Sequence, residues 1–300
     1  MLKDDANKKL YSFFWPTFST MSGNTMRYTQ GMHYYVIGTP ISHSASPELW
    51  NAYFHRLGLP HDYAAYDPGD FAGLSRWVRA VRRDPDVAGF NVTLPYKRDI
   101  IALLDDVTAT AGAIGAVNTV RRNTDATLIG DNTDAAGFLS AAESHLRFVP
   151  RCHTRVAICG TGGVARAIAY ACRHADVTCV SRNPRKLPPV SAATDETSVT
   201  GTGHVVSYTD LSTGSPEPWD LLVNATPIGM TGDDMMPVSA DWLRPEHVHA
   251  VFDAVYRADG QVTPLVAAAR AVGIPAIAGM PLLYAQARAA CTFWSLPDDF

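Results

Sequence analysis

The chain has 300 residues, of which 18% are charged and 47% hydrophobic, with a formal net charge of −4. That length leaves room for two domains with ample core, and the composition is that of a soluble globular protein. A weakly acidic balance without a basic block argues against nucleic acid as a partner, and no apolar run approaches the ~18 residues of a membrane helix. The five cysteines, Cys152, Cys159, Cys172, Cys179 and Cys291, contain no Cys-x-x-Cys pair. Buried thiols in a reducing, cytoplasmic setting are therefore expected. The histidines offer no helical metal-binding pair, and no metal is expected.

Residues 1–32 read as an extension without domain pattern. Lys3, Lys8 and Lys9 precede Tyr11-Ser12-Phe13-Phe14-Trp15, but Pro16 ends that apolar run too early for a secretory core. Met26 and Met32 are alternative starts. His33 to Gly38 reads as the first strand and Thr39 to Ala45 as a polar turn. Ser46 is the natural N-cap of the next helix, with Pro47 at its first position and Glu48 complementing the dipole. Leu49, Trp50, Tyr53, Phe54 and Leu57 recur on one face, and Gly58 ends the helix. Ser44 and Ser46 set two hydroxyls beside that helix start, where a carboxylate ligand is favoured.

His61 to Tyr66 is expected as a second strand and Phe71 to Val81 as an amphipathic helix, with Arg79, Arg82 and Arg83 on its solvated face. Val87 to Thr93 reads as a strand running into Leu94-Pro95-Tyr96-Lys97. Pro95 is expected to open a helix through Leu104, placing Lys97 in its first turn, where a cation opposes the dipole at a cost of ~0.3–1 kcal/mol. Ala116 to Val120 and Leu128 to Gly130 have the spacing of a hairpin. Asp131-Asn132-Thr133-Asp134 then precedes another helix, which Thr133 or Asp134 is suited to cap.

From Val156 onward strand and helix patterns alternate, as a doubly wound sheet requires. Val156 to Cys159 breaks into Gly160-Thr161-Gly162-Gly163-Val164-Ala165 and resumes as a helix. In such a fingerprint Gly160 allows the turn, Gly162 allows close approach of a diphosphate, and Ala165 lets the helix pack on the strand. The next strand, Val177 to Val180, lacks the acidic residue that would hold the ribose hydroxyls of NAD. Ser181-Arg182-Asn183-Pro184-Arg185-Lys186 follows and offers positive charge for a 2′-phosphate, so NADP is favoured. Residues 187–203 are read as irregular. Trp219 to Asn224 and Val248 to Val255 are further strands, followed by Ala225-Thr226-Pro227 and by Tyr256. Thr263-Pro264 starts a helix that stops at Gly273. Gly279 to Trp294 is the last helix, carries Gln286, and order is expected to end at Pro297.

Together these stretches resemble the shikimate dehydrogenase family from about Tyr34 to Trp294. The resemblance rests on Pro40 to Pro47, Asn91 to Lys97, Ala116 to Thr119, Asp131 to Asp134, Gly160 to Gly163, Asn224 to Met230 and Gln286-Ala287. It implies an α/β substrate-binding domain plus a Rossmann-like doubly wound NADP domain, with the active site in the cleft between them. The implied boundaries are 33–134 with 279–300 for the first and 135–278 for the second. The implied activity is the reversible NADPH-dependent reduction of 3-dehydroshikimate to shikimate in aromatic amino-acid (chorismate) biosynthesis, by a monomer or homodimer. Lys97 and Asp134 correspond to the family's catalytic pair. Ser44, Ser46, Thr93, Asn118, Tyr256 and Gln286 match substrate positions. Gly160, Thr161, Gly162, Gly163, Val164, Ala165, Ser181, Arg182, Asn183, Arg185, Lys186, Thr226, Pro227 and Gly279 match cofactor positions.

Three departures stand out. Pro281 follows Gly279-Met280 and restricts the backbone ahead of Gln286; the sequence stops at Phe300, short of a further helix that relatives carry; and the N-terminal extension has no family counterpart. A rival reading is an enzyme of the same family that also oxidises quinate, often with NAD, against which Ser44 and Arg182 argue. A rival of another class is an inactive NADP-binding regulator, which has no need of both Lys97 and Asp134.

Overall fold

The structure, a computed structural model, describes residues 31–182, 204–208, 217–232, 234–257 and 259–300. The expectations for residues 1–30 and 187–203, and for Asn183, Arg185 and Lys186, fall outside that range.

The N-terminal half builds a six-stranded sheet from β1 (His33–Ile37), β2 (Asp62–Tyr66), β3 (Val87–Val92), β4 (Asp106–Val107), β5 (Thr119–Arg122) and β6 (Leu128–Asp131), in the order β2-β1-β3-β5-β6-β4. Its helices are α1 (Ser46–Arg56), α2 (Phe71–Arg83) and α3 (Ala109–Ile114). The first three strands are parallel because a helix connects each to the next, whereas β5 and β6 form the expected antiparallel hairpin. Asp70 caps α2 by accepting from the Gly73 N–H. That helix presents Leu74, Val78 and Val81 to the sheet, a face of the width its periodicity requires. Arg82 leaves the expected solvated face: it pairs with Asp105 and donates to the Leu103 carbonyl, tying α2 to the segment beneath it.

The second sheet holds β7 (Arg155–Cys159), β8 (Asp176–Val180), β9 (His204–Val206), β10 (Leu221–Asn224), β11 (Val251–Asp253) and β12 (Ala276–Ile277), in the order β12-β11-β10-β7-β8-β9. Every neighbouring pair is parallel. With α4 (Asp134–Leu146), α5 (Gly163–Ala171) and α6 (Pro264–Ala271), this is the Rossmann-like arrangement. The chain turns from one flank to the other between β7 and β10, the switch point at which such sheets bind ligands. The apolar strand runs are explained by burial on both faces. Val156 and Ile158 belong to one core with Phe138 and Ile168, while Ala157 and Cys159 face the other with Leu222 and Val266.

The last helix, α7 (Met280–Trp294), joins the two sheets' cores. Leu282 packs with Phe138 and Phe252, whereas Ala287, Ala290 and Trp294 pack with Tyr34, Trp50 and Phe54 beside the first sheet. Trp294 stands 4.8 Å from the Tyr34 ring and 5.0 Å from Trp50, and its indole N–H donates to the Val120 carbonyl at 3.0 Å. Each such side chain contributes ~1.5–3 kcal/mol through burial.

Several expectations are corrected. Ser46 is the first residue of α1 and does not cap it; Ala45 holds the cap position without a side-chain bond. Lys97 does not lie in an α-helix: residues 94–98 form turns after a cis Leu94–Pro95 bond, and the helical segment that follows is a short 3-10 stretch, Asp99–Leu103. The dipole cost expected for Lys97 therefore does not arise. Pro281 sits in the first turn of α7, where its missing N–H has no intrahelical partner to lose, so the helix is undisturbed. Order continues past Pro297. Its carbonyl accepts from the Tyr53 hydroxyl at 2.6 Å, Phe300 packs 4.6 Å from Trp50, and Asp299 pairs with Arg56.

Candidate active site

The carboxyl ends of β3 and β6 and the amino end of the antiparallel β5 deliver the polar residues of the first sheet to one place. The turn after β3 carries Lys97, whose Nζ donates to Asp134 Oδ2 at 2.6 Å, with the two side chains 12% and 6% exposed. Asp134 opens α4, where unpaired backbone N–H groups favour a carboxylate. Its Oδ1 accepts from Asn118 Nδ2 at 2.8 Å. An ion pair this secluded holds both partners in place, because removing either leaves a buried charge unmatched. No other hydrogen bond from Lys97 Nζ is made among the described residues, so two of its N–H bonds remain for a ligand.

The orientation of Asn118 is settled by its neighbours. Its Oδ1 accepts from the Thr133 N–H at 2.8 Å and from the Thr119 hydroxyl at 3.0 Å, which turns the amide N–H₂ towards Asp134 and Thr133 Oγ1. Of the two candidate caps of α4, Asp134 is already its first residue and Thr133 holds the cap position without a capping bond, its hydroxyl instead meeting Asn118 and reaching Gln286 Oε1 at 3.4 Å. Asn132 Oδ1 accepts from the Asp134 N–H at 3.1 Å. Behind them Asn91 donates to the Asn118 carbonyl and to Thr119, and accepts from the Tyr63 hydroxyl at 2.6 Å. Burial of Tyr63 holds its phenol well above the usual value, so it stays a donor. Sequence reasoning missed these supporting residues. Asn132 and Thr133 lay within a noted motif, but Tyr63 sits in a strand whose pattern gives no sign that its hydroxyl points at Asn91.

The other expected substrate positions are carried by different elements. Ser44 Oγ accepts from the Ser46 N–H at 3.3 Å, while the hydroxyls of Ser46 and Thr93 have no partner among the described residues. Tyr256, after β11, accepts at its hydroxyl from the Ala45 N–H at 3.3 Å, so the two sheet regions meet at the head of α1. Gln286 is 8% exposed and its amide donates to the Leu283 carbonyl at 2.8 Å. Gly137 makes its position possible: a Cβ there would lie 2.7 Å from the Gln286 backbone nitrogen. Only a glycine lets α4 and α7 cross so closely.

At the switch point Gly160 adopts φ +113°, and a Cβ on it would meet the Ala225 carbonyl at 2.9 Å. Gly162 opens onto free space, with nothing within 4 Å of its Cβ position, as a cradle for a diphosphate requires. Ala165 is fully buried against the sheet, while Thr161, Gly163 and Val164 are half-buried around the turn. Thr226 and Pro227 follow β10 directly, and the Thr226 N–H and hydroxyl both donate to Asn224 Oδ1 at 3.0 and 2.7 Å. Gly279 is pressed on the chain after β11, since a Cβ there would approach the Ala254 carbonyl to 2.4 Å. Ser181 is half-buried beyond β8, and Arg182 is exposed beside it. The fold and these residues fit a dinucleotide: glycine turn, helix start and exposed cation lie at one edge of a parallel sheet.

A Rossmann-like sheet joined to a second α/β domain, with a lysine–carboxylate pair beside the glycine turn, defines a nucleotide-dependent oxidoreductase. Comparison with known proteins makes the class specific. Residues 36–120 match the family model for the shikimate dehydrogenase substrate binding domain. The chain is 38% identical over 268 residues to the shikimate dehydrogenase (NADP(+)) of Rubrobacter xylanophilus, covering 88% of this chain and 90% of that one. It superposes with a TM-score of 0.77 on a shikimate dehydrogenase solved in complex with NADP+, at 30% identity over 88% of this chain and 90% of the other. The shikimate 5-dehydrogenase of Thermus thermophilus, solved with NADP(H) and shikimate, gives 0.71 at 30% identity, over 89% and 95% of the two chains. The chain belongs to the shikimate dehydrogenase family.

Proposed function

We propose that this chain catalyses the reversible NADPH-dependent reduction of 3-dehydroshikimate to shikimate, serving aromatic amino-acid biosynthesis in the cytoplasm. The observation that carries the reading is the Lys97–Asp134 pair, nearly buried and still holding free N–H bonds, set directly against the glycine turn at Gly163. The division expected from the sequence, 33–134 with 279–300 for substrate and 135–278 for cofactor, puts these two features on opposite sides of one cleft.

When bound, NADPH supplies the hydride. Lys97 gives a proton to the carbonyl oxygen as negative charge develops there, and in the oxidative direction takes the hydroxyl proton back. Asp134 holds the ammonium in line and balances its charge. Ser44, Ser46, Thr93, Asn118, Tyr256 and Gln286 bind the carboxylate and ring hydroxyls, and Asn118 also keeps Asp134 in register, so that the ketone is presented in one orientation. Gly160 to Ala165 would hold the diphosphate, with Thr226, Pro227 and Gly279 as further cofactor positions, and Ser181, Arg182, Asn183, Arg185 and Lys186 would hold the 2′-phosphate.

The test is a steady-state assay of shikimate and quinate against NADP+ and NAD+. Shikimate with NADP+ is expected to give the highest kcat/KM. Preference for quinate or NAD+ would overturn the substrate or cofactor assignment, and binding of NADPH without turnover would point to a regulator.

A further inference from the structure

A carboxylate that the reaction leaves without a role lies at the ends of β10 and β11. Asp253 is the last residue of β11 and is 0% exposed, as are Asn224 at the end of β10 and Thr263 ahead of α6. It forms no ion pair among the described residues. Instead Oδ1 accepts from Asn224 Nδ2 at 2.9 Å and from the Val255 N–H at 3.0 Å, and Oδ2 accepts from the Thr263 hydroxyl at 2.7 Å. An unpaired carboxylate in such a place is costly to bury. What an ionised carboxylate alone offers is two oxygens that only accept.

That one-way chemistry has a consequence for Asn224. Facing an acceptor-only group, its amide must present N–H₂ to Asp253 and its oxygen to the other side. There Oδ1 takes both the N–H and the hydroxyl of Thr226, and the second amide hydrogen goes to the Ile228 carbonyl at 3.1 Å. The Thr226 hydroxyl in turn accepts from the Ile228 N–H at 3.2 Å. The whole turn after β10 is therefore wound on one amide whose polarity Asp253 dictates. On its other side the Val255 N–H bends the chain towards Tyr256, and the Val255 carbonyl accepts from Gly279 at 2.8 Å.

We propose that Asp253 is a positioning residue that sets the cofactor-side turn at Thr226–Pro227 and the substrate-side Tyr256 in one common geometry. The inference rests on the functional reading above for what those two segments bind. Burial raises the Asp253 carboxyl to about 6 while its three hydrogen bonds pull it down, so the acceptor form is the prevailing one at neutral pH. Thr263 from α6 and Asn224 from β10 do not titrate. Among the described residues, the Cys159 thiol on β7 feels its charge, and burial keeps that thiol protonated.

The experiment compares Asp253→Ala, Asp253→Asn and Thr263→Val in the full chain, by thermal melting, by fluorescence titration of NADPH and by steady-state kinetics with shikimate and NADP+. Thr263→Val removes the partner of Oδ2 and the cap of α6 but leaves Asn224 and Val255 in place. It is expected to lower Tm while keeping the NADPH Kd and the shikimate KM within about twofold. Asp253→Ala is expected to raise both constants about tenfold or more, since misplacement of binding groups is costly. Asp253→Asn, which retains one acceptor, is expected to fall between them. A folded Asp253→Ala that loses as much Tm as Thr263→Val but binds NADPH and shikimate normally would overturn the proposal. If Asp253→Ala does not fold, normal constants in Asp253→Asn overturn it. Wild-type protein that binds NADPH but does not oxidise shikimate would overturn the functional reading instead, and the NADPH titration would still decide this one.

Discussion

Gly163 and Lys97 are in contact: a Cβ on Gly163 would come within 2.9 Å of both Cβ and Cδ of Lys97. The third glycine of the turn is thus bounded by the Lys97 side chain from the other sheet region. Glycine and lysine were each legible as motif members, but their meeting was not.

Gly163→Ala follows from that contact. Residue 163 is the first of α5 and its φ is not positive, so alanine suits the backbone and the helix is not weakened. The methyl group meets the stem of Lys97, and Cβ of a lysine cannot swing aside as its tip can. We expect kcat to fall about tenfold or more, because a small displacement of an acid is costly, and Tm to fall modestly, because the overpacked contact must be relieved by a shift of the chain. Unchanged kcat in this variant would mean that the contact is without consequence for proton transfer.

Lys97→Ala removes the acid itself. We expect kcat to drop by roughly two or more orders of magnitude with a smaller change in KM, the scale of general acid catalysis. Asp134 then lacks its partner in a nearly buried site, so Tm should fall too; Asp134→Asn on the Lys97→Ala background should restore part of it. Wild-type turnover in Lys97→Ala would remove the residue from the mechanism.

How much of this was legible in the sequence depended on the range of the interactions. Four strands of the second sheet (β7, β8, β10 and β11), the hairpin at Thr119 to Asp131 and the glycine turn announced themselves through local pattern, whereas the short β9 and β12 gave too few residues for a pattern to show. The turn at Lys97 did not, because Pro95 is equally at home opening a helix or in the cis peptide bond found here. Ser46 and Thr133 look like caps by residue type, yet their hydroxyls are not used for capping: Thr133 bonds to Asn118, and the Ser46 hydroxyl has no partner among the described residues. Bonds such as Tyr63 to Asn91, Asn224 to Asp253 and Trp294 to Val120 join residues far apart in sequence, and no periodicity encodes them.

Cofactor choice is tested at Arg182, exposed just past β8 where the adenosine end of a dinucleotide reaches. Arg182→Ala should raise KM for NADP+ much more than for NAD+, since only the former presents a 2′-phosphate for the guanidinium to grip. Parallel changes for both cofactors, measured in the same assay, would show Arg182 to be an ordinary surface residue.

The buried carboxylate of Asp253 also leaves a mark on stability that can be read without substrate. Its pKa is raised from 3.8 to about 6, chiefly by burial. Between those values the unfolded chain has released the proton while the folded chain still holds it. Stability therefore falls as pH rises from about 4 to about 6 and is level above, by about 3 kcal/mol at most for this group. Asp67, Asp105, Asp125 and Asp259 are shifted the other way by their hydrogen bonds and push the total in the opposite sense. The difference between wild type and Asp253→Asn cancels those contributions. Measured by urea unfolding, wild-type stability relative to the variant should decline from pH 4 to pH 6 and stay flat to pH 8. A difference that is constant, or that grows with pH, would mean that Asp253 is not held as the folded structure has it, and that the turn after β10 draws its order from elsewhere.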